Sequence, residues 1–192
     1  LDHPDVRRML LRMKAGTQAI RALLYYASGQ VDRATLGDED ARALADLLTP
    51  LSKAYATDMG IEIASLGIQV HGGMGFVEET GAAQHYRDAR IAPIYEGTNG
   101  IQAADLVGRK MSMNGGESMR GLLEMITAEV KDSAPLKQLA AATGRVMQWM
   151  QNDASIDDKL GGSVPFLTMY ATLVSGWLMA RQRSAAMQEL GE

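Results

Sequence analysis

One carboxylate in this chain is framed for proton transfer. Glu96 lies in Tyr95-Glu96-Gly97-Thr98-Asn99-Gly100-Ile101-Gln102, between Pro93 and a glycine, just ahead of a segment with helix-start chemistry. A carboxylate on such a turn can be aimed into a cavity, where it takes a proton if it is oriented and shielded from water. A dry pocket favours its neutral form, whereas a helix N-terminus beside it favours the charged form. The competing reading is an exposed acid near a helix start, a place where acids are favoured anyway.

A second cluster is Gln69-Val70-His71-Gly72-Gly73-Met74-Gly75-Phe76. Its glycines permit tight turns and close backbone approach, and Gln69 supplies an amide for hydrogen bonding. The alternative is a simple helix-terminating turn. Arg87 and Asp88 are candidates for an ion pair that shapes the segment before Glu96. His3, His71 and His85 are scattered without ligand spacing, so no metal site is expected. No Ser–His–Asp arrangement or P-loop is present.

The elements that would position these residues read as helices. His3-Pro4-Asp5 starts one, and Val6, Met9, Leu10, Met13, Ile20, Leu23 and Leu24 follow helical spacing up to an expected stop at Ser28-Gly29. After a polar connection through Leu36-Gly37-Asp38, a second helix carries Leu44, Leu47, Leu48, Leu51, Tyr55 and Met59 to about Val70. Its length suits an antiparallel partner for the first. Glu79-Thr80 is expected to cap a short helix to about Asp88, and Pro93 interrupts the next segment. Thr98 or Asn99 is the next N-cap, with Gln102 completing a capping-box pattern from Asn99. The helix after it places Ile101, Ala104, Gly108 and Met111 on one side. Further stripes run Met119-Leu122-Leu123-Ile126-Val130, Leu136-Leu139-Ala140-Thr143-Met147-Met150 and Leu167-Tyr170-Leu173-Val174-Trp177-Leu178, with Gly161-Gly162-Ser163 as a loop.

There is no convincing strand pattern. The predicted fold is all-α, an antiparallel up-down bundle with additional C-terminal helices. Asn114-Gly115-Gly116-Glu117 is the expected boundary between a domain at 1–113 and a helical extension at 114–192.

Composition agrees with a globular helical protein. Of 192 residues, 46% are apolar and the net charge is −4, with no basic run that would suit nucleic acid. The absence of cysteine excludes disulfides, thiolate metal sites and cysteine nucleophiles. The 13 methionines read as flexible core filler. No membrane span is expected, because no apolar run approaches the roughly 20 residues one needs. The expected compartment is a bacterial-type cytoplasm, with the mitochondrial matrix as the alternative.

From about His3 to Met111 the chain resembles the C-terminal helical domain of the flavin-dependent acyl-CoA dehydrogenase family. The resemblance rests on Gln69 through Phe76 and on Arg87-Asp88-Ala89-Arg90 through Tyr95-Glu96-Gly97-Thr98, in the family's order and spacing. From Asn114 onward it resembles the extra C-terminal region of a longer subgroup. Starting at Leu1, and without the arginine-bearing segment that usually precedes His3-Pro4-Asp5, the chain is expected to be the C-terminal part of a larger enzyme.

The resemblance implies α,β-dehydrogenation of an acyl-CoA thioester, with Glu96 as the base for the α proton and the β-carbon hydride passing to FAD at N5. It implies FAD contacts from Gln69, Gly72 and Gly73 toward a neighbouring subunit, and from Thr98 and Gln102, the latter being equally readable as a cap. Gly97 would let the chain turn beside flavin and substrate. Tyr95 would line the acyl or thioester pocket, or else pack in the core. Gly100 departs from relatives that carry a side chain there. The implied partners are an acyl-CoA substrate, electron-transfer flavoprotein as acceptor, and further copies in a dimer or tetramer. The isolated chain is expected to be inactive and free of FAD. An acyl-CoA oxidase would use the same base and pass electrons to oxygen. A helical interaction module that kept the motifs without the chemistry is the reading from another class.

Overall fold

The computed structural model describes residues 2–191. Two long helices, α1 (Pro4–Thr35) and α2 (Glu39–Val70), form an antiparallel hairpin that carries everything else. Gly37, at φ +95°, turns the chain, and Asp38 caps α2 by accepting the Ala41 N–H at 2.9 Å. Arg33 pairs with Asp38 at 2.6 Å near the turn. Arg12 and Glu62, equally far along the chain on either side of Gly37, pair through both guanidinium donors at 2.7 and 2.9 Å. A Cβ on Gly16 would lie 3.0 Å from the Met59 sulfur, so the two helices approach closely there.

The chain continues through α3 (Gly73–Phe76), a 3₁₀ turn at Glu78–Thr80, α4 (Ala82–Ala89) and α5 (Asn99–Gly108). After an irregular 3₁₀ stretch at Lys110–Gly116 come α6 (Glu117–Glu129), α7 (Ala134–Asn152), α8 (Ile156–Gly161) and α9 (Ser163–Leu190). No strand occurs among the described residues, and the all-α expectation holds.

The core is contiguous. Leu23 of α1, Leu47, Leu48 and Leu51 of α2 and Leu106 of α5 join Met119 and Ile126 of α6 and Phe166, Tyr170 and Trp177 of α9. Tyr26 meets Trp177 edge-on, with ring centroids 5.3 Å apart. The Trp177 Nε1–H donates to Glu129 at 2.7 Å, and the Tyr170 hydroxyl donates to the Met119 carbonyl at 3.0 Å. Burial pushes the Tyr170 phenol well above its ordinary pKa. Six of the methionines lie in the core (Met9, Met59, Met111, Met119, Met147 and Met150), as expected of gap-fillers.

Several local expectations are corrected. Helix α1 runs past Ser28-Gly29 to Thr35, because packing against α2 outweighs the roughly 1 kcal/mol a mid-helix glycine costs. The N-cap position of α4 is Gly81 rather than Thr80; the Thr80 hydroxyl donates to the Met74 carbonyl at 2.9 Å and accepts the Ala82 N–H, the first of the helix, only at 3.4 Å. The face of α5 that is buried is Ala103, Leu106 and Val107, while Ile101 is exposed. Residues Gly161-Gly162-Ser163 are not a loop. They join α8, opened by a Ser155–Asp158 capping box, directly to α9. Helix α9 is also long and apolar enough to cross a membrane by length and composition, with mean hydropathy 1.3 over its most apolar 18 residues. Thr168, Thr172, Ser175 and Gly176 interrupt its apolar run without adding charge, which hid its overall apolarity. Of that window, 56% is buried inside the protein.

Candidate active site

The Glu96 turn is built from both ends. After α4, successive turns bond Ala92 N–H to Ala89 and Ile94 N–H to Ile91, and bring Pro93 into the interior. The Asn99 N–H donates to the Pro93 carbonyl at 3.0 Å and closes the loop around Glu96. Inside it, Glu96 takes φ +53° and Gly97 φ +87°. A non-glycine residue in this left-handed region costs about 1–2 kcal/mol, so its surroundings must impose it. Glu96 is exposed, and Tyr95, with Ile91 and Ile94 nearby in sequence, is exposed too. Among the described residues, Tyr95 is not part of the buried core.

Thr98 is the N-cap of α5, its hydroxyl accepting the Ile101 N–H at 3.2 Å. The capping box expected from Asn99 and Gln102 does not form. Asn99 is already inside the helix, and its side chain turns to α2 instead. There its amide donates to the Ala54 carbonyl (3.1 Å) and to Asp58 (2.8 Å) and exchanges a hydrogen bond with the Thr57 hydroxyl. Lys53 Nζ donates to the Gly97 carbonyl at 2.7 Å and to Asn99 Oδ1 at 2.8 Å. Gln102 lies against the turn: a Cβ on Gly97 would stand 3.3 Å from its Nε2. Glu96, Gly97, Thr98 and Gln102 are thus brought together. Lys53, Thr57 and Asp58, which no motif in the sequence singles out, hold them. Helical spacing in the sequence marked α2 as a partner helix, but no local signal tied its polar face to residue 99.

The glycine cluster occupies a different stretch of surface. Helix α2 ends as His71 Nδ1 meets the Gly67 carbonyl at 2.7 Å, and Gly72 turns the chain at φ +63°. Gln69, Gly72 and Gly73 are exposed, and a Cβ at either glycine would meet nothing within 4 Å. The steric demand falls on Gly75, where a Cβ would sit 2.2 Å from the Ile68 carbonyl oxygen. Gln69 is 11 residues beyond Asp58, hence about 16 Å further along α2 than the point where Asn99 docks. A cavity of about 440 Å³ beside α2 is lined by Met13, Ile63, Gly67, His71, Thr80 and His85. None of the expected catalytic or cofactor residues lines it. Arg87 pairs with Glu78 at 2.7 Å rather than with Asp88, because the 3₁₀ turn brings Glu78 alongside α4. Among the described residues, no group of three or more His, Asp or Glu side chains is arranged to hold a metal.

Residues 1–111 match the family description "Acyl-CoA dehydrogenase, C-terminal domain", and residues 119–192 match "Acetyl-CoA dehydrogenase C-terminal like". The whole chain is 45% identical to 36% of the 3-methylmercaptopropionyl-CoA dehydrogenase of Ruegeria pomeroyi. Among solved structures, 92% of it superposes on 32% of Caenorhabditis elegans ACDH-11 in complex with C11-CoA, with a TM-score of 0.75 and 24% identity. All of it superposes on 38% of an acyl-CoA dehydrogenase from Bacillus anthracis complexed with FAD, with a TM-score of 0.69 and 20% identity. The chain spans about a third of the length of these relatives. With a family match over more than half its residues and the fold to go with it, this chain belongs to the acyl-CoA dehydrogenase family.

Proposed function

We propose that this chain is the C-terminal part of an FAD-dependent acyl-CoA dehydrogenase in which Glu96 removes the α proton of an acyl-CoA thioester. The observation that carries this reading is the backbone at Glu96. An exposed acid is held in a left-handed conformation by bonds on both sides of it, an arrangement that serves aim rather than solubility. The N-terminus of α5, capped by Thr98, follows directly and fixes the chain on the far side of the turn. The exposed ring of Tyr95 beside it suits the wall of an acyl or thioester pocket completed by other parts of the enzyme.

The residues present fit the cofactor. Gln69 offers an exposed amide, and the backbone at Gly72 and Gly73 is open to a phosphate or adenosine with no Cβ in the way. Thr98 and Gln102 present polar groups beside the Glu96 turn. FAD, when bound, supplies the acceptor for the β-carbon hydride. The separation of the two groups along α2 agrees with contacts to two different parts of that cofactor, or to cofactors of two subunits. We accordingly read the functional assembly as a dimer or tetramer, with electron-transfer flavoprotein as electron acceptor. Residues 1–113 then carry the catalytic turn, and 114–192 support it from behind.

The test is Glu96→Gln in the full-length enzyme. The substitution keeps shape and removes the base, so dehydrogenation of an acyl-CoA is expected to fall by at least about 10²–10⁴-fold with flavin content unchanged. Turnover near the wild-type rate would remove Glu96 from the mechanism.

A further inference from the structure

Resting on the reading of Glu96 as the base, we propose that Lys53 is its positioning residue: with Asn99, its ammonium fastens the catalytic turn to α2. Lys53 is half-buried, and no carboxylate of the described residues lies within ion-pair distance of it. Its donors go instead to two neutral oxygens, the Gly97 carbonyl at 2.7 Å and Asn99 Oδ1 at 2.8 Å. The first of these belongs to the residue directly after Glu96. A charged donor on a carbonyl makes a short, strong hydrogen bond, more so where water is partly excluded.

The geometry works as a chain of constraints. Asn99 is fixed to α2 by its amide bonds to the Ala54 carbonyl and Asp58. Lys53 then joins Asn99 to Gly97, which sets the peptide on the C-terminal side of Glu96. On the other side, the Asn99 N–H holds the buried Pro93 through its carbonyl. Glu96 is left with its backbone specified from both directions, and among the described residues no side-chain hydrogen bond or ion pair engages its carboxylate. The left-handed conformation at Glu96 needs such support, because relaxation to a right-handed backbone would re-aim the carboxylate. Lys53 touches neither substrate nor cofactor in this scheme; it acts on the rate through the direction of Glu96.

Lys53→Met, Lys53→Arg and Asn99→Ala, made in the full-length enzyme, test this. A misaimed base lowers kcat while leaving substrate binding intact. Lys53→Met is expected to lose about 10- to 100-fold in kcat, with KM changed by less than about threefold. Lys53→Arg, which keeps a charged donor, is expected to recover most of that loss. Amide hydrogen exchange at Asn99 should accelerate in Lys53→Met while that of the α1–α2 hairpin stays unchanged. If Lys53→Met does not fold, Asn99→Ala is read in the same way. A wild-type kcat in the folded variant, or a loss of rate that merely tracks lost flavin and lowered Tm, overturns the inference. The two readings separate cleanly. An inactive Glu96→Gln beside a fully active Lys53→Met leaves the base and removes the brace, whereas an active Glu96→Gln removes both.

Discussion

Gly75 shows how one residue type can be dictated by a single oxygen atom. Any side chain there would drive its Cβ to 2.2 Å from the Ile68 carbonyl, which is backbone and cannot swing aside. Gly75→Ala is therefore expected to destabilise the chain by about 1–3 kcal/mol through forced displacement of the α2 C-terminus. Thermal unfolding followed by circular dichroism measures it, and an unchanged Tm would mean that the α2–α3 junction is looser than described. The sequence pattern marked this cluster as special but pointed to Gly72 and Gly73, since a glycine's spatial neighbour seven residues away is not written in its local context. Asn99 illustrates the same limit. Its type suited a cap, and the adjacent Thr98 took that role, leaving the Asn99 amide for α2 residues more than forty positions back. Local chemistry was legible at both places; the partner was not.

At the scale of elements, the α1–α2 hairpin is clipped at its turn by Arg33–Asp38 and near its open end by Arg12–Glu62. Hydrogen bonding from Arg12 holds the Glu62 carboxyl below its ordinary value of 4.5. A group depressed on folding contributes stability that is fully present above its unfolded pKa and is lost as pH falls through the folded one. Glu62→Gln should thus lower Tm at pH 7 and leave it almost unchanged at pH values below the folded pKa of Glu62. Thermal melts of the two proteins across that range check it, and a Tm difference that persists undiminished into acid would rule out linkage through this carboxyl. Helical periodicity had made the partnership of these helices legible, and the end of α2 at Val70. It misjudged Ser28-Gly29, because a weak local breaker loses to the side chains packed on α2. It passed over α8, which is too short to show a period and is signalled only by the Ser155–Asp158 capping box.

Across the whole molecule, Trp177 is the joint. Its ring is fully buried, meets Tyr26 of α1 edge-on, lies beneath Arg181 and donates to Glu129 of α6. Trp177→Ala is expected to cost about 3–5 kcal/mol. Because the core is continuous, residues 1–113 and 114–192 should melt in one transition in both proteins. Calorimetry that resolved two separate transitions in the wild-type chain would contradict that continuity. The stripe containing Tyr170 and Trp177 was readable as a helix face; that it would close over α1 was not, since periodicity names the buried side of a helix without naming what it faces. The same joint bears on how such tails can be exchanged. A hybrid that grafts residues 114–192 from a cousin onto this hairpin would inherit knobs without their sockets, so successful swaps must carry matched residues at Tyr26 and along the inner side of α2. The tail is thus better thought of as half of a mould than as an accessory, and the two halves are expected to drift in step.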